Sequence, residues 1–423
     1  MCISDRRVTD RWLARKPVDR RRRVRRIGSA SSEQLLVVAA AISTRATFAS
    51  AFGVVNITAG AAHTCALLDD DSVKCWGSNT SGQLGLGDTS NRGGAANEMG
   101  NSLPEVDLGT GRTAKHVTAG GYHTCTILDD DSVKCWGSNT SGQLGIGDSS
   151  NRGDAANEMG DNLPAVDLGT NRIAKHVTAG GQHTCALLDD DSVKCWGYTG
   201  NGQLGLGDTS NRGGAANQMG DNLPEVDLGT SRTAKHVTAD VAHTCALLDD
   251  DSVKCWGASG SGQLGLGDTS NRGRAANEMG DNLPEVDLGT GRIAKHVTAG
   301  GQHTCAILDD DSVKCWGGSG SGQLGLGDTS NRGGAANEMG DNLPAVNLGT
   351  LPPPPYPPPP PLVPPPSSPS SSAPSSSKKN SANVGVVAGS VAGVVAFTGV
   401  IILCFRSAFR ERNADQGDGD AKA

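Results

Sequence analysis

Apolar and polar positions alternate in short runs over residues 52–350, without the three-to-four spacing of an amphipathic helix. In the second copy of the pattern the runs are Leu103–Gly109, Lys115–Ala119, His123–Leu128 and Ser132–Trp136. Gly, Asp and Asn bound these runs, here named a, b, c and d, so each reads as a short strand. The order returns every 60 residues. The string HTCALLDDDSVKCWG starts at His63 and His183 and recurs, with at most small changes, at His123, His243 and His303. A fixed period of this length marks units that cannot bury their own apolar faces and stack on their neighbours. The pattern predicts an all-β fold, a β-propeller of five four-stranded blades. A solenoid is the rival, but its rungs are usually shorter. The first copy starts at strand b, Val54–Ala59, and the last ends with an additional strand a, Leu343–Gly349. We therefore expect the C-terminal strand to complete the first blade and close the ring by a strand swap, removing exposed edges. An open five-blade arc is the alternative.

The recurring G-x-x-H-T-C-A-L-x-x-D-x-S-V-K-C-W-G-x-N-x-x-G-Q-L-G resembles the regulator-of-chromosome-condensation repeat family. The cysteine-paired form is similar to the propellers of bacterial secreted proteins and of crinkly-type plant receptor kinases. The resemblance implies a propeller, typically of seven blades where this chain has five repeats. It also implies a glycine in the c–d turn, where this chain has Asp71, Asp131, Asp191, Asp251 and Asp311. Aspartate is among the few other residues that tolerate positive φ, so the turn can survive.

Ten of the twelve cysteines form C-x9-C pairs. The pairs are Cys65 with Cys75, Cys125 with Cys135, Cys185 with Cys195, Cys245 with Cys255, and Cys305 with Cys315. A three-residue turn at Asp69–Asp71 sets Leu68 against Ser72 and Cys65 against Cys75. Non-hydrogen-bonded antiparallel partners lie ~4.5 Å apart at Cα, within reach of a disulfide. Cross-strand disulfides are the expectation in an oxidising compartment. Buried thiols are a second reading. Zinc held by His63, Cys65 and Cys75 is a third, which lacks a fourth ligand. No metal or other cofactor is expected.

Trp76, Trp136, Trp196, Trp256 and Trp316 end strand d in every copy and read as packing between blades, or else as a ligand-stacking ring. The His63-type residues read as buried hydrogen-bonding groups, since five identical bases make poor catalytic machinery. The DDD runs and the GD-T-S-N loops lack the spacing of a calcium loop and read as solvated turn charge. Arg152-Gly153-Asp154 spells an integrin-type tripeptide in one copy only and reads as coincidence. Asn56, Asn79 and Asn139 open glycosylation sequons.

Differences among the copies concentrate in two places. One is the b–c turn, with Tyr122, Gln182 and Gln302. The other is the start of the d–a loop, with Tyr198. In an up-and-down blade both emerge on the same face, and loops on a rigid scaffold are where binding residues sit. That face is the candidate binding site, against the alternative that loops simply drift.

Charge divides the chain. Residues 1–51 hold 12 Lys/Arg against 4 Asp/Glu, and residues 52–350 hold 37 Asp/Glu against 19 Lys/Arg. The acidic block argues against nucleic acid, which needs cations to displace phosphate counterions. The Arg20–Arg26 cluster precedes an apolar run, Leu35–Ile42, and a small-x-small site at Ala49–Ala51, so residues 1–51 read as a targeting segment. Its long basic start leaves a secretory signal and an Arg-rich transit peptide both open. Residues 351–383 are a Pro/Ser-rich stalk, stiff in polyproline II. With the opposite topology the prolines would instead serve as a ligand for cytoplasmic domains. Residues 384–405 are uncharged and apolar, ~33 Å long as a helix, enough to cross a hydrocarbon core of ~30 Å. Gly385, Gly389 and Gly393 share one face of that helix and favour homodimer pairing. Residues 406–423 form a cytoplasmic tail. The chain thus reads as a single-pass protein of the plasma membrane or another secretory-pathway membrane. Its extracytoplasmic propeller is expected to be no enzyme, and to bind a protein or cell-wall glycan in recognition or adhesion. The alternatives are a guanine-nucleotide exchange regulator, which the resemblance implies, and a structural surface coat.

Overall fold

The computed structural model describes residues 53–349. The expected targeting segment, stalk, membrane span with its glycines, and tail lie outside these residues. Among the described residues no helix is long and apolar enough to cross a membrane.

Five antiparallel three-stranded sheets follow one another. The first holds β1 (Val54–Ala59), β2 (His63–Leu68) and β3 (Val73–Gly77); the second β4 (Ala114–Ala119), β5 (His123–Leu128) and β6 (Val133–Gly137). The third holds β7 (Ala174–Ala179), β8 (His183–Leu188) and β9 (Val193–Gly197); the fourth β10 (Ala234–Ala239), β11 (His243–Leu248) and β12 (Val253–Gly257). The fifth holds β13 (Ala294–Ala299), β14 (His303–Leu308) and β15 (Val313–Gly317). Strands b, c and d are thereby found close to their expected limits. The three-residue turn sets the register: Leu68 N–H donates to Ser72 O, and Cys65 stands opposite Cys75. The same register sets Cys125 opposite Cys135, Cys185 opposite Cys195, Cys245 opposite Cys255, and Cys305 opposite Cys315. Asp71, Asp131, Asp191, Asp251 and Asp311 take φ of 61–68°, the left-handed conformation their side chain tolerates.

Strand a does not form a fourth ladder. The extended segment Leu103–Gly109 touches β3 through one backbone bond, Val106 N–H to Val73 O at 2.8 Å. Pro104 has no N–H to offer. The Asp107 carbonyl accepts from Gly160 N–H, and the Leu108 carbonyl accepts from the Lys134 ammonium. Both donors belong to the next repeat, so the segment is shared between two repeats. The last such segment also stays with its own sheet: Val346 N–H donates to Val313 O. It does not pair beside β1, which corrects the expected strand swap. Segment a borders the d strand that precedes it, so the final copy has no spare strand to give.

The apolar core lies between repeats, as stacking requires. Cys65, Leu67, Val73, Leu84 and Val106 of one repeat meet Ala114, Val117, Trp136, Met159 and Leu163 of the next. The same interface is built three more times along the chain.

Candidate binding face

Two repeated side-chain columns fix the turns that carry the varied residues. His63 Nε2 lies 2.8 Å from Thr124 Oγ1 of the following repeat. The Thr124 hydroxyl donates to Gln83 O, so its oxygen is left to accept and the imidazole proton sits on Nε2. Gln83 O accepts a second bond, from Trp136 Nε1 at 3.1 Å. The whole unit recurs at His123, His183 and His243, with His–Thr distances of 2.9–3.0 Å. Burial holds His63 down to about 4, His123 and His183 to about 3 and His243 to about 4, so these rings are neutral donors at ordinary pH. Four of the five repeat tryptophans are completely buried, and Trp76 is half-buried. The arrangement bolts repeats together and leaves no ring free to stack on a ligand at Trp136, Trp196, Trp256 or Trp316.

The b–c turns of the first four repeats are chained to one another. Ala61 N–H donates to Gly120 O, Gly121 N–H to Gly180 O, and Gly181 N–H to Asp240 O. The chains come so close that a Cβ at Gly120 would lie 2.4 Å from Gly180 O. Within each repeat the turn also binds the start of the d loop: Ser138 N–H donates to Tyr122 O, Tyr198 N–H to Gln182 O, and Gly318 N–H to Gln302 O. The two varied regions therefore share one edge. Tyr122, Gln182, Tyr198 and Gln302 are all exposed there. Gln182 and Tyr198 are brought together directly, Tyr122 stands in the neighbouring bonded turn, and Gln302 stands in the fifth turn, which is bonded to its own d loop and, among the described residues, has no backbone bond to the fourth turn. Gly200 makes room for the Tyr198 ring, whose hydroxyl would sit 2.1 Å from a Cβ at that position.

Sequence reasoning marks Val241 as a varied turn position but passes over its neighbour Asp240. Asp240 replaces the turn glycine in the fourth copy, and burial pushes its carboxyl up. Val241 beside it is exposed. The signal was present, since this copy alone reads ADVAH. A second column, His116, His176, His236 and His296, was also missed. Its rings lie 4.7–5.1 Å apart on the first strands of successive sheets. Asn56 stands at the equivalent position of the first sheet, and His116 Nε2 donates to Val177 O.

The remaining expected sites divide. All five cysteine pairs lie at disulfide distance, each with Cα atoms 4.1 Å apart. Cys75, Cys135, Cys195, Cys255 and Cys315 on the d strands are each matched across the hairpin by Cys65, Cys125, Cys185, Cys245 and Cys305 in turn. That geometry favours the cross-strand pairing over free thiols and over a metal-held Cys65 and Cys75. Among the described residues no group of three or more His, Cys, Asp or Glu is arranged to hold a metal ion.

Asn56 is exposed, whereas Asn79 and Asn139 are fully buried. Each buried amide donates to an aspartate carbonyl (Asp88 or Asp148) and accepts a leucine N–H (Leu84 or Leu144). A glycan on either needs its loop opened, so the sequon expectation is corrected to Asn56 alone on the folded surface. The aspartate turns are occupied by cations of their own repeats: Lys115 pairs with Asp131 at 2.6 Å, and Arg172 with Asp190. Arg152 of the tripeptide binds Asp148 and two backbone carbonyls.

Models of the regulator of chromosome condensation repeat match residues 54–83, 114–143, 174–203 and 294–323, and, in a second version, 70–127, 130–187 and 250–307. The chain belongs to that repeat family. It is 33% identical over 279 residues to the ultraviolet-B receptor UVR8 of Arabidopsis thaliana, covering 65% of this chain and 56% of that one. It is 32% identical over 219 residues to the probable E3 ubiquitin-protein ligase HERC4 of Homo sapiens, covering 51% of this chain and 18% of the other. The chain thus spans little more than half of the first relative and under a fifth of the second. In structure it is similar to yeast RCC1 (Prp20) bound to Kap60, with a TM-score of 0.52 at 18% identity over 68% of this chain and 61% of that one. Free Prp20p of Saccharomyces cerevisiae, described with its binding to Gsp1p and histones, gives 0.50 at 19% identity over 66% and 61%. This likeness shows the propeller-type fold.

Proposed function

We propose that the repeat block is a recognition module that binds a protein or glycan through the row of b–c turns, and that it is displayed outside a cell membrane. One observation carries the binding face. In repeats that are otherwise nearly identical, the exposed aromatic and amide differences share one edge, where backbone bonds run from turn to turn through the first four repeats and from turn to d loop; other exposed differences, such as Ile173 and Ile293, are apolar and lie by the c–d turns. A drifting loop has no need of such a frame. Neutral, buried imidazoles and paired turn carboxylates leave this edge as the place where the copies present different aromatic and amide side chains. Protein partners in the names of the yeast relatives, Kap60, Gsp1p and histones, favour a protein ligand. The five cysteine pairs support the extracytoplasmic placement, because disulfides persist in oxidising compartments.

The test is a screen of the purified protein against cell-surface proteins and a glycan array, followed by alanine at Tyr122, Gln182, Tyr198 and Gln302. Loss of the interaction with the fold retained supports the face. Accelerated nucleotide release from a small GTPase would favour an exchange regulator instead.

A further inference from the structure

We propose that the two ends of the repeat array bind each other between copies of this chain, head to tail. The interface that joins neighbouring repeats is built four times inside the molecule, and each end carries one unpaired half of it. At the first repeat the open half is the side that Ala114, Val117, Trp136 and Thr124 present in the second. There Ile57 is 61% exposed where Val117 is 1% exposed. Thr64 and Trp76, equivalents of Thr124 and Trp136, are half-exposed. At the fifth repeat the open half is the side that Leu67, Leu108 and His63 present in the first. Leu348 is 78% exposed where Leu108 is 4% exposed. Ile307 is exposed, and His303 is half-exposed.

The polar groups match as well. Inside the array a His Nε2 meets a Thr hydroxyl, while that hydroxyl and a Trp Nε1 share one glutamine backbone carbonyl. The fifth repeat offers the His303 ring and the Gln323 backbone carbonyl, and the first offers the Thr64 hydroxyl and the Trp76 indole N–H. Among the described residues none of these four groups has a hydrogen-bond partner, so a second copy supplies the missing half of each.

The occupant follows from how the end is made. Repeat arrays normally finish in units whose outer face is polar. Here the outer strand goes the other way: Val54 and Ile57 stand where the second copy has Ala114 and Val117, both larger and both exposed. Among the described residues neither end covers the other. A contact between two different surfaces is heterologous and propagates into rings or filaments.

The test is sedimentation of the full chain in detergent. Ile57→Lys blocks the first end and Ile307→Lys the last. Each variant alone should self-associate about tenfold more weakly, a loss of about 1.4 kcal/mol. An equimolar mixture should recover pairs that grow no further, because only one intact end of each kind is present. Thr64→Val, which adds no charge, should weaken assembly several-fold and guards against a misfolded lysine variant. Two results would overturn the proposal: a monomer at all concentrations, or association that neither end variant changes, as pairing through the membrane segment would give.

Discussion

Every histidine of the chain falls in one of two columns, five on the second strand of each sheet and four on the first. In the second-strand column burial keeps the rings neutral, with values of about 3 to 4 for His63, His123, His183 and His243. In the other column, burial first and then neighbouring rings hold His176 near 3 and His236 near 4. The unfolded chain binds these protons near 6.5, so it takes up protons before the folded one does. Stability is full above that value and falls as pH drops toward about 4. Asp240, whose carboxyl burial pushes up, opposes this with a single group. The melting temperature should therefore decline progressively from about pH 6.5 to about pH 5, above the range in which ordinary carboxylates titrate. A flat profile over that window would contradict the buried columns. At the same scale, Trp196→Ala should cost about 3–5 kcal/mol by emptying the space between the second and third repeats. Denaturant unfolding reads it directly.

At the scale of elements, the c–d hairpin is the stiff part of each repeat and the b–c turn is the joint between repeats. Gly120→Ala puts a methyl against the Gly180 carbonyl, and should cost about 1–3 kcal/mol through overpacking. Equilibrium unfolding of the variant checks this. Non-reducing peptide maps of protein isolated from its own compartment should link Cys65 to Cys75, and likewise Cys125 to Cys135, Cys185 to Cys195, Cys245 to Cys255, and Cys305 to Cys315. Breaking one such link should cost about 2–4 kcal/mol. Alkylatable thiols at all of these positions in native protein would contradict both the pairing and the extracytoplasmic placement. The hairpin was legible in the sequence because a three-residue turn and period-two alternation fix cysteine register without tertiary information. Segment Leu103–Gly109 misled for the opposite reason. Its alternation is that of a strand, but its carbonyls are taken by Lys134 and Gly160, which lie further along the chain in the next repeat. The shared edge of Tyr198 and Gln182 followed from strand order alone. The histidine stack did not, since the spacing of the first strands of successive sheets depends on how tightly repeats pack. The burial of Asn79 is invisible in a sequon, whose three letters do not say which way the amide faces.

At the scale of the whole molecule, near-identical repeats make a scaffold, and function falls to what breaks the identity. The row of turns and the two ends are two such places. Protease added to intact cells should remove the repeat block and leave a small C-terminal fragment; a protected repeat block would reverse the topology. The most direct measurement of the central proposal is an equilibrium titration of the purified protein against the ligand returned by the screen. It would be run with the unaltered chain and with Tyr122, Gln182, Tyr198 and Gln302 all replaced by alanine. Circular dichroism and the five cysteine links serve as controls for fold. Two or more of these side chains acting as anchors predict a loss of affinity of at least about a hundredfold, or about 2.7 kcal/mol, in the variant. An unchanged dissociation constant in a variant that folds normally would contradict the assignment of this edge as the recognition surface.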